Sequence, residues 1–364
     1  MTNAYLCTTD PGLEWLLTEE WQSLCAEAGL ELLQTWERAY GRRGLLLAEV
    51  AGDATAIEAL LPRLRTAHHV MRYLHHLSLP DGENLAPLEA ALHALDIPGM
   101  AEAHSFRVTT NRVGQHGFDS YAVASLAGRI MQARYGTRVD LKGYALNLRV
   151  DVYDRLAWIG LQLTRQSLSR RFEARPYYRT VSLKPNIAYA LLRLAQIPRQ
   201  AEGRLLDPFC GAGTILMEAA TLFPRLKLHG SDRYEEPVAG ARSNLLAYGL
   251  QDRVRIEQVE MSQLHQHYPA AHFDYLVTNP PFGLRMAKKV DLRHFYEVFL
   301  QEAATLLRPG GSLTLLMLKA ANFRQAAARS PMRVLDVHRV EVGGKEMRVY
   351  RLVKRDAAAS EGGA

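Results

Sequence analysis

The chain has 364 residues, 48% hydrophobic and 23% charged, a composition typical of soluble globular protein with room for two or three domains. No apolar run approaches the roughly 18–20 residues that cross a bilayer, and no basic stretch followed by an apolar one opens the chain, so a cytoplasmic protein is expected. Three widely spaced cysteines, Cys7, Cys25 and Cys210, form neither a disulfide framework nor a zinc site, and no metal is expected.

The net charge of +6 is unevenly spread: residues 1–164 carry 14 Lys and Arg against 19 Asp and Glu, and residues 165–364 carry 30 against 19. A basic half joined to an acidic half suggests a polyanionic partner, with nucleic acid first among candidates.

Residues 1–65 read as a small α/β unit. A strand over 3–9 leads to a helix over 11–28, opened by Asp10 as N-cap and Pro11 at the first helical position. A strand over 45–50 and a helix over 54–65 follow. His68, His69, His75 and His76 come next. Adjacent histidines do not converge on one point, and no Cys or carboxylate stands at ligand spacing, so a solvated surface is expected rather than a metal cluster. Residues 66–164 read as a second α+β module. Helices are expected over 85–95 and 120–134, and a strand over 105–110. A hairpin of strands 146–153 and 156–163 turns at Asp154-Arg155.

Residues 165–180 form a basic and aromatic linker containing Arg165, Arg170, Arg171, Arg175 and Arg179 with Phe172, Tyr177 and Tyr178. Such a mixture suits either a solvated connector or a surface for phosphates and bases. Residues 181–355 alternate strand and helix, with strands over 204–208, 227–232, 254–259, 273–278 and 312–318. They close in a hairpin of strands 334–342 and 347–354 around Gly343-Gly344. This pattern gives an α/β class, doubly wound, mostly parallel sheet with an antiparallel edge. Residues 356–364 are small and polar and read as a disordered tail.

Residues 204–214 read R-L-L-D-P-F-C-G-A-G-T. A buried strand ends at Asp207, a glycine turn follows, and a helix starts at Thr214. Gly211 and Gly213 allow close approach of backbone to a ligand, and the helix start offers free N–H groups. The third glycine of a dinucleotide fingerprint would fall on Leu216, and no G-K-[ST] follows. What remains suits a nucleoside with an amino-acid tail, whose ammonium Asp207 can meet directly or through water. Asp232, ending the second strand, lies where a carboxylate bonds both ribose hydroxyls, although alone it could equally cap a helix. Arg233 can lie over an adenine, and Glu260 and Met261 on its other face or edge.

Residues 273–282 run F-D-Y-L-V-T-N-P-P-F. Two prolines after a buried strand fix φ twice and remove two donors, so the loop presents acceptors. The Asn279 side-chain oxygen and the Pro280 carbonyl can each take one N–H of a planar amine. That aims the nitrogen lone pair at a methyl donor and stabilises the charge that develops. Phe282 can stack on a base taken out of its helix. By itself this tetrapeptide fits adenine, guanine or glutamine nitrogen.

These motifs resemble those of the Rossmann-fold amino-methyltransferases. Asp207-Pro208-Phe209-Cys210-Gly211-Ala212-Gly213-Thr214 looks like their first motif, Asp232 like the second and Asn279-Pro280-Pro281-Phe282 like the fourth. Ser182-Leu183-Lys184-Pro185-Asn186 looks like the segment over the methionine end of the cofactor. The resemblance implies S-adenosyl-L-methionine as cofactor, contacted by Ser182, Leu183, Asp207, Phe209, Gly211, Gly213, Thr214, Asp232, Arg233, Glu260, Met261 and Asn279.

Residues 105–112, 117–120, 139–141 and 146–152 are similar to a THUMP RNA-binding domain, with residues 1–65 as the ferredoxin-like unit before it. The chain thus resembles the THUMP-containing tRNA guanine-N2-methyltransferases. That implies an enzyme that grips the 3′ end of tRNA and methylates a guanosine of the acceptor stem, at position 6; a monomer is expected. RNA contacts are expected at Arg107, Arg112, Arg170, Arg171, Arg175 and Tyr177. Guanine-N2 methylation of 23S rRNA, or glutamine methylation of a protein, would meet the same tetrapeptide.

Overall fold

The computed structural model describes residues 2–80, 82–179, 182–281, 291–318 and 321–355. The chain forms two compact units, Met1–Thr9 with Glu14–Leu168 and Asp10–Leu13 with Ser169–Ala364.

In the first unit the elements are β1 (Thr2–Thr9), α1 (Glu14–Ala28), β2 (Glu31–Glu37), β3 (Leu45–Ala51), α2 (Ala54–Glu58), β4 (Ala67–Ser78), α3 (Ala86–Ala94), β5 (Ser105–Val113), α4 (Ser120–Tyr135), β6 (Arg138–Val139), β7 (Leu146–Tyr153) and β8 (Leu156–Gln162). They build one eight-stranded sheet in the order β2-β3-β1-β4-β8-β7-β5-β6. Antiparallel pairing of β4 with β8 carries the sheet unbroken past the boundary expected at residue 65. Hydrophobic clusters lie along it around Tyr5, Trp21 and Val70, around Phe106, Ile130 and Leu148, and, more narrowly, around Leu6, Met71 and Trp158.

Local chemistry sets the helix ends. Asp119 caps α4 by accepting from Ala122 N at 2.7 Å. Gly136, at φ +70, ends it with its N–H on Gln132 O. The hairpin of β7 and β8 turns at Asp154-Arg155 as expected.

Two expectations for this unit are corrected. Helix α1 starts at Glu14, not at residue 11, and Asp10 is not its cap. The Asp10 carboxylate instead accepts from the Asn186 side chain, and Pro11 O accepts from Glu341 N at 2.8 Å. The helix expected over 54–65 ends at Glu58. Pro62 lacks the N–H to continue it, and only a 3-10 turn at Leu61–Arg63 follows. The histidine segment is the strand β4, and β2 is an edge strand whose apolar Leu33 and Trp36 are exposed, which hides the usual alternation. Among the described residues no group of His, Cys, Asp and Glu could hold a metal.

The second unit contains α5 (Pro185–Leu194), β9 (Gly203–Asp207), α6 (Thr214–Leu222), β10 (Leu226–Asp232), α7 (Glu235–Ala247), β11 (Val254–Gln258), α8 (Leu264–His267), β12 (Phe273–Thr278), α9 (Leu292–Leu306), β13 (Leu307–Met317), α10 (Ala321–Arg329), β14 (Met332–Val342) and β15 (Lys345–Lys354). The sheet order is β11-β10-β9-β12-β13-β15-β14. Strands β9 to β13 pair in parallel, and β15 is antiparallel to both β13 and β14. Leu205, Leu206, Leu276, Val277, Leu313 and Leu315 are all fully buried, as strands covered on both faces require. This is the doubly wound sheet with an antiparallel edge hairpin that the sequence pattern implies. Its order reverses between β9 and β12, where open α/β sheets leave a crevice at the strands' carboxyl ends. Among the described residues no helix is long and apolar enough to cross a membrane.

Candidate active site

At the point of reversal, β9 ends in Asp207 and β12 ends in Thr278, with Asn279 next. Thr278 Oγ1 donates to Asp207 Oδ1 at 2.6 Å, and Phe209 N donates to the same oxygen at 3.2 Å. Asp207 is 1% exposed. Burial pushes its carboxyl up to about 7 despite these two donors, and the neighbouring Asp232 adds to the rise.

Past Asp207 the chain turns through Gly211 (φ +50) and Gly213 (φ +79), a left-handed backbone that other residues adopt only under strain. Gly213 leads directly into α6. Asp232, ending β10, accepts from Gly211 N and from Tyr234 N, each at 3.2 Å. Burial raises its carboxyl as well, against these backbone donors. The second carboxylate is thus bolted to the glycine turn.

Beside it, Arg233 lies 3.6 Å from the Glu260 carboxylate and 4.5 Å over the Tyr234 ring. A cleft lined by Arg233, Gln258, Val259, Glu260 and Gln263 opens there. Met261 is buried in the core cluster below. Phe209 packs edge-on against Phe299 at 5.2 Å.

Asn279 Oδ1 is buried and has no hydrogen-bond partner among the described residues. An orphaned buried acceptor is costly, at about 1–3 kcal/mol, and a ligand N–H arriving at this loop would complete it. Pro280 is buried behind it. Phe282 lies outside the described residues.

The structure therefore brings Asp207, Gly211, Gly213, Thr214, Asp232, Glu260 and Asn279 to one end of one sheet. Ser182 and Leu183 stand just before α5, where Ser182 Oγ accepts from Arg179 N at 3.1 Å. Two residues of this site went unread in the sequence. Thr278 carries a signal, because a polar residue in a buried strand next to an acceptor loop needs a partner. Asn244 carries none: it looks like an ordinary surface residue of a helix. It is nonetheless fully buried, donating to Ala212 O and Tyr177 O at 2.9 Å and accepting from Tyr177 N at 2.9 Å.

The linker residues expected at RNA hold positions within the second unit. Arg171 Nε donates to the fully buried Glu218 carboxylate at 2.6 Å. Arg175 Nη1 donates to Thr214 Oγ1 at 2.8 Å, and burial lowers its guanidinium. Tyr177 is held by Asn244 on α7. Arg170 is exposed and, among the described residues, pairs only with Glu173, three residues on. Both remaining candidates are on β5 in the first unit. Arg107 stacks 4.5 Å over the Tyr144 ring, and Arg112 Nη1 contacts Gly114 O and His116.

Comparison with known proteins matches this geometry to a family. Residues 173–348 match the family described as RMKL-like, methyltransferase domain, and residues 84–162 match the THUMP domain. The tRNA (guanine(6)-N2)-methyltransferase of Thermus thermophilus is 38% identical over 348 residues, 95% of this chain and 98% of that protein. The enzyme of the same name from Archaeoglobus fulgidus is 26% identical over 93% of this chain and 89% of its own. The crystal structure of TrmN from Thermus thermophilus superposes with a TM-score of 0.78 at 36% identity, over 97% of this chain and 99% of that one. A chain alike over its whole length in sequence, fold and both domains belongs to the THUMP-containing family of RMKL-like methyltransferases that includes the Thermus thermophilus tRNA (guanine(6)-N2)-methyltransferase.

Proposed function

We propose that this protein methylates the exocyclic N2 of a guanosine in tRNA with S-adenosylmethionine, at position 6 of the acceptor stem, acting as a cytoplasmic monomer. The observation that carries the chemistry is the buried Oδ1 of Asn279 at the carboxyl end of β12, without a partner among the described residues. Its family membership supports the choice of tRNA over ribosomal RNA or a protein glutamine.

The residues present fit the cofactor. Asp207 is a buried carboxyl just before a glycine turn and suits the ammonium group. Asp232 is fixed at the next strand end for the ribose hydroxyls, with Arg233, Glu260 and Met261 around the adenine. Ser182, Leu183, Phe209 and Thr214 complete the wall. S-adenosylmethionine, when bound, supplies an electrophilic methyl group.

Asn279 Oδ1 and the Pro280 carbonyl each accept one N–H of the guanine amine, whose lone pair is otherwise delocalised into the ring. Holding both hydrogens turns the nitrogen toward the methyl group. As the N–C bond forms, positive charge grows on nitrogen, and the same two acceptors stabilise it. The methylated nitrogen then loses one proton to solvent and leaves a neutral N2-methylguanine. No strong base is needed, because that proton is far more acidic after transfer than before. Phe282 takes the role of stacking partner for the base.

Purified protein with methyl-labelled cofactor should label a tRNA transcript carrying G6, and nuclease digestion should yield labelled N2-methylguanosine. A transcript with A6 should stay unlabelled. Label in ribosomal RNA or in protein, with tRNA blank, would overturn this reading.

A further inference from the structure

Residues 321–355 carry nine Lys and Arg against three Asp and Glu, so this short stretch alone matches the +6 of the whole chain. Its acidic groups do little to offset the cations. Asp336 is taken by Arg351 at 2.6 Å, and Glu346 faces Arg348 at 3.6 Å. Lys354 and Arg355 turn back onto Leu307 O and Met332 O.

Five cations remain: Arg324 and Arg329 on α10, Arg333 and Arg339 on β14, and Lys345 at the start of β15. All five are exposed, and none forms an ion pair with the described residues. Val334 and Val337, at 37% and 47% exposure, lie between the two β14 arginines. β14 is the last strand of the sheet. It is antiparallel to β15, as β13 is, so its Val342 end lies at the same end of the sheet as Asp207 and Asn279. The six-residue step from Arg333 to Arg339 covers about 20 Å, so the charges run as a stripe toward the site end.

Unpaired cations strung along one edge, with Asp336 between them already taken by Arg351 and Glu346 facing Arg348, match the repeating charge of a phosphate backbone. We propose that α10, β14 and the turn into β15 form a phosphate-tracking surface that holds the RNA backbone while the target base occupies the site. This rests on the tRNA reading above.

The test uses the full chain with the double substitution Arg333→Glu and Arg339→Glu, and a tRNA transcript titrated across a KCl series. Affinity should fall about tenfold or more, and the slope of log K against log salt should shrink by about 2, one for each phosphate no longer neutralised. KM for tRNA should rise while kcat at saturating tRNA and cofactor affinity stay at the parent's values. Arg333→Gln with Arg339→Gln should show the same loss of slope with a smaller loss of affinity. The pair Arg225→Glu and Arg255→Glu, with the same change in net charge at the start of β10 and on β11, should bind within about twofold of the parent.

Parent-like affinity and slope in the stripe variants, or an equal loss in the β10–β11 pair, would sink this inference. If the parent methylates tRNA while the stripe variants bind normally, only the stripe falls. If the parent binds tRNA but methylates another substrate, the function reading falls and the binding series still decides the stripe.

Discussion

Asn279 and Asp207 face each other in role: one is an acceptor waiting for hydrogens, the other an acid held against its charge. Asn279→Ala should cut turnover by roughly 10²-fold or more with cofactor affinity near normal, the size seen when one group aimed at transition-state charge is lost. Unchanged single-turnover rates would remove Asn279 from the chemistry. Asp207 makes a prediction about pH. Its carboxyl is raised from 3.8 to about 7, so the folded chain holds that proton more tightly than the unfolded chain does. Stability is therefore highest at low pH on this account and falls as pH rises from about 4 to 7, by on the order of 4 kcal/mol. Without cofactor, Tm should decline between pH 5 and pH 8, and Asp207→Asn should remove most of that decline. A parent Tm equal to the variant's at both ends would show that no such proton is held. Cofactor binding should strengthen over the same interval as the carboxylate forms. Asp232→Ala should weaken it at every pH, and unchanged calorimetric affinity would exclude the ribose role.

At the scale of elements, α7 shows how a steric term outweighs a propensity. Gly240 lies within α7, where alanine would favour the helix by about 1 kcal/mol. A Cβ there would stand 2.3 Å from two carbons of the Tyr177 ring. Overpacking of that kind costs about 1–3 kcal/mol, and it would also pull Tyr177 from Asn244. Gly240→Ala should thus lower stability in denaturant titration. Adding Tyr177→Ala should restore part of the loss, and a stabilised single variant would show that the ring moves aside freely.

The linker was the least legible element in the sequence. Its arginines and tyrosines suggested RNA, but Arg171, Arg175 and Tyr177 find their partners in Glu218, Thr214 and Asn244, 39 to 67 residues away. Such pairs leave no local pattern. The strands of the catalytic sheet were legible to within two residues at each end, apart from β13, which starts at Leu307 rather than 312, because burial on both faces writes apolar runs. β2 and the start of α1 were not: one exposes its apolar side chains, and the other yields its first residues to a distant sheet.

At the scale of the whole molecule, the two units have separate hydrophobic cores, one set around Trp21 and Phe106 and the other around Leu276, Phe299 and Leu313. Scanning calorimetry should resolve two transitions. Cofactor at a hundred times its Kd stabilises what it binds by about 2.7 kcal/mol, and should raise only the transition of the second unit. A single transition shifting as one would show that the units unfold together. The charge division agrees with this separation: the first 164 residues are net acidic, and the surplus of Lys and Arg lies with the catalytic sheet.

The short segment Asp10–Leu13, just before α1, is tied to the far strand β14. Pro11 O receives the Glu341 N–H, and a Cβ on Gly12 would stand 2.4 Å from Arg339 O, so only glycine fits there. During synthesis, these four residues leave the ribosome well before β14, on which their binding place is made. Until then the segment has no partner from β14, and the exposed edge of that strand has no cover from the segment. The catalytic unit can reach its final form only once β14 is out. A chain stalled before residue 341 would leave this closure unmade however well its other strands had paired.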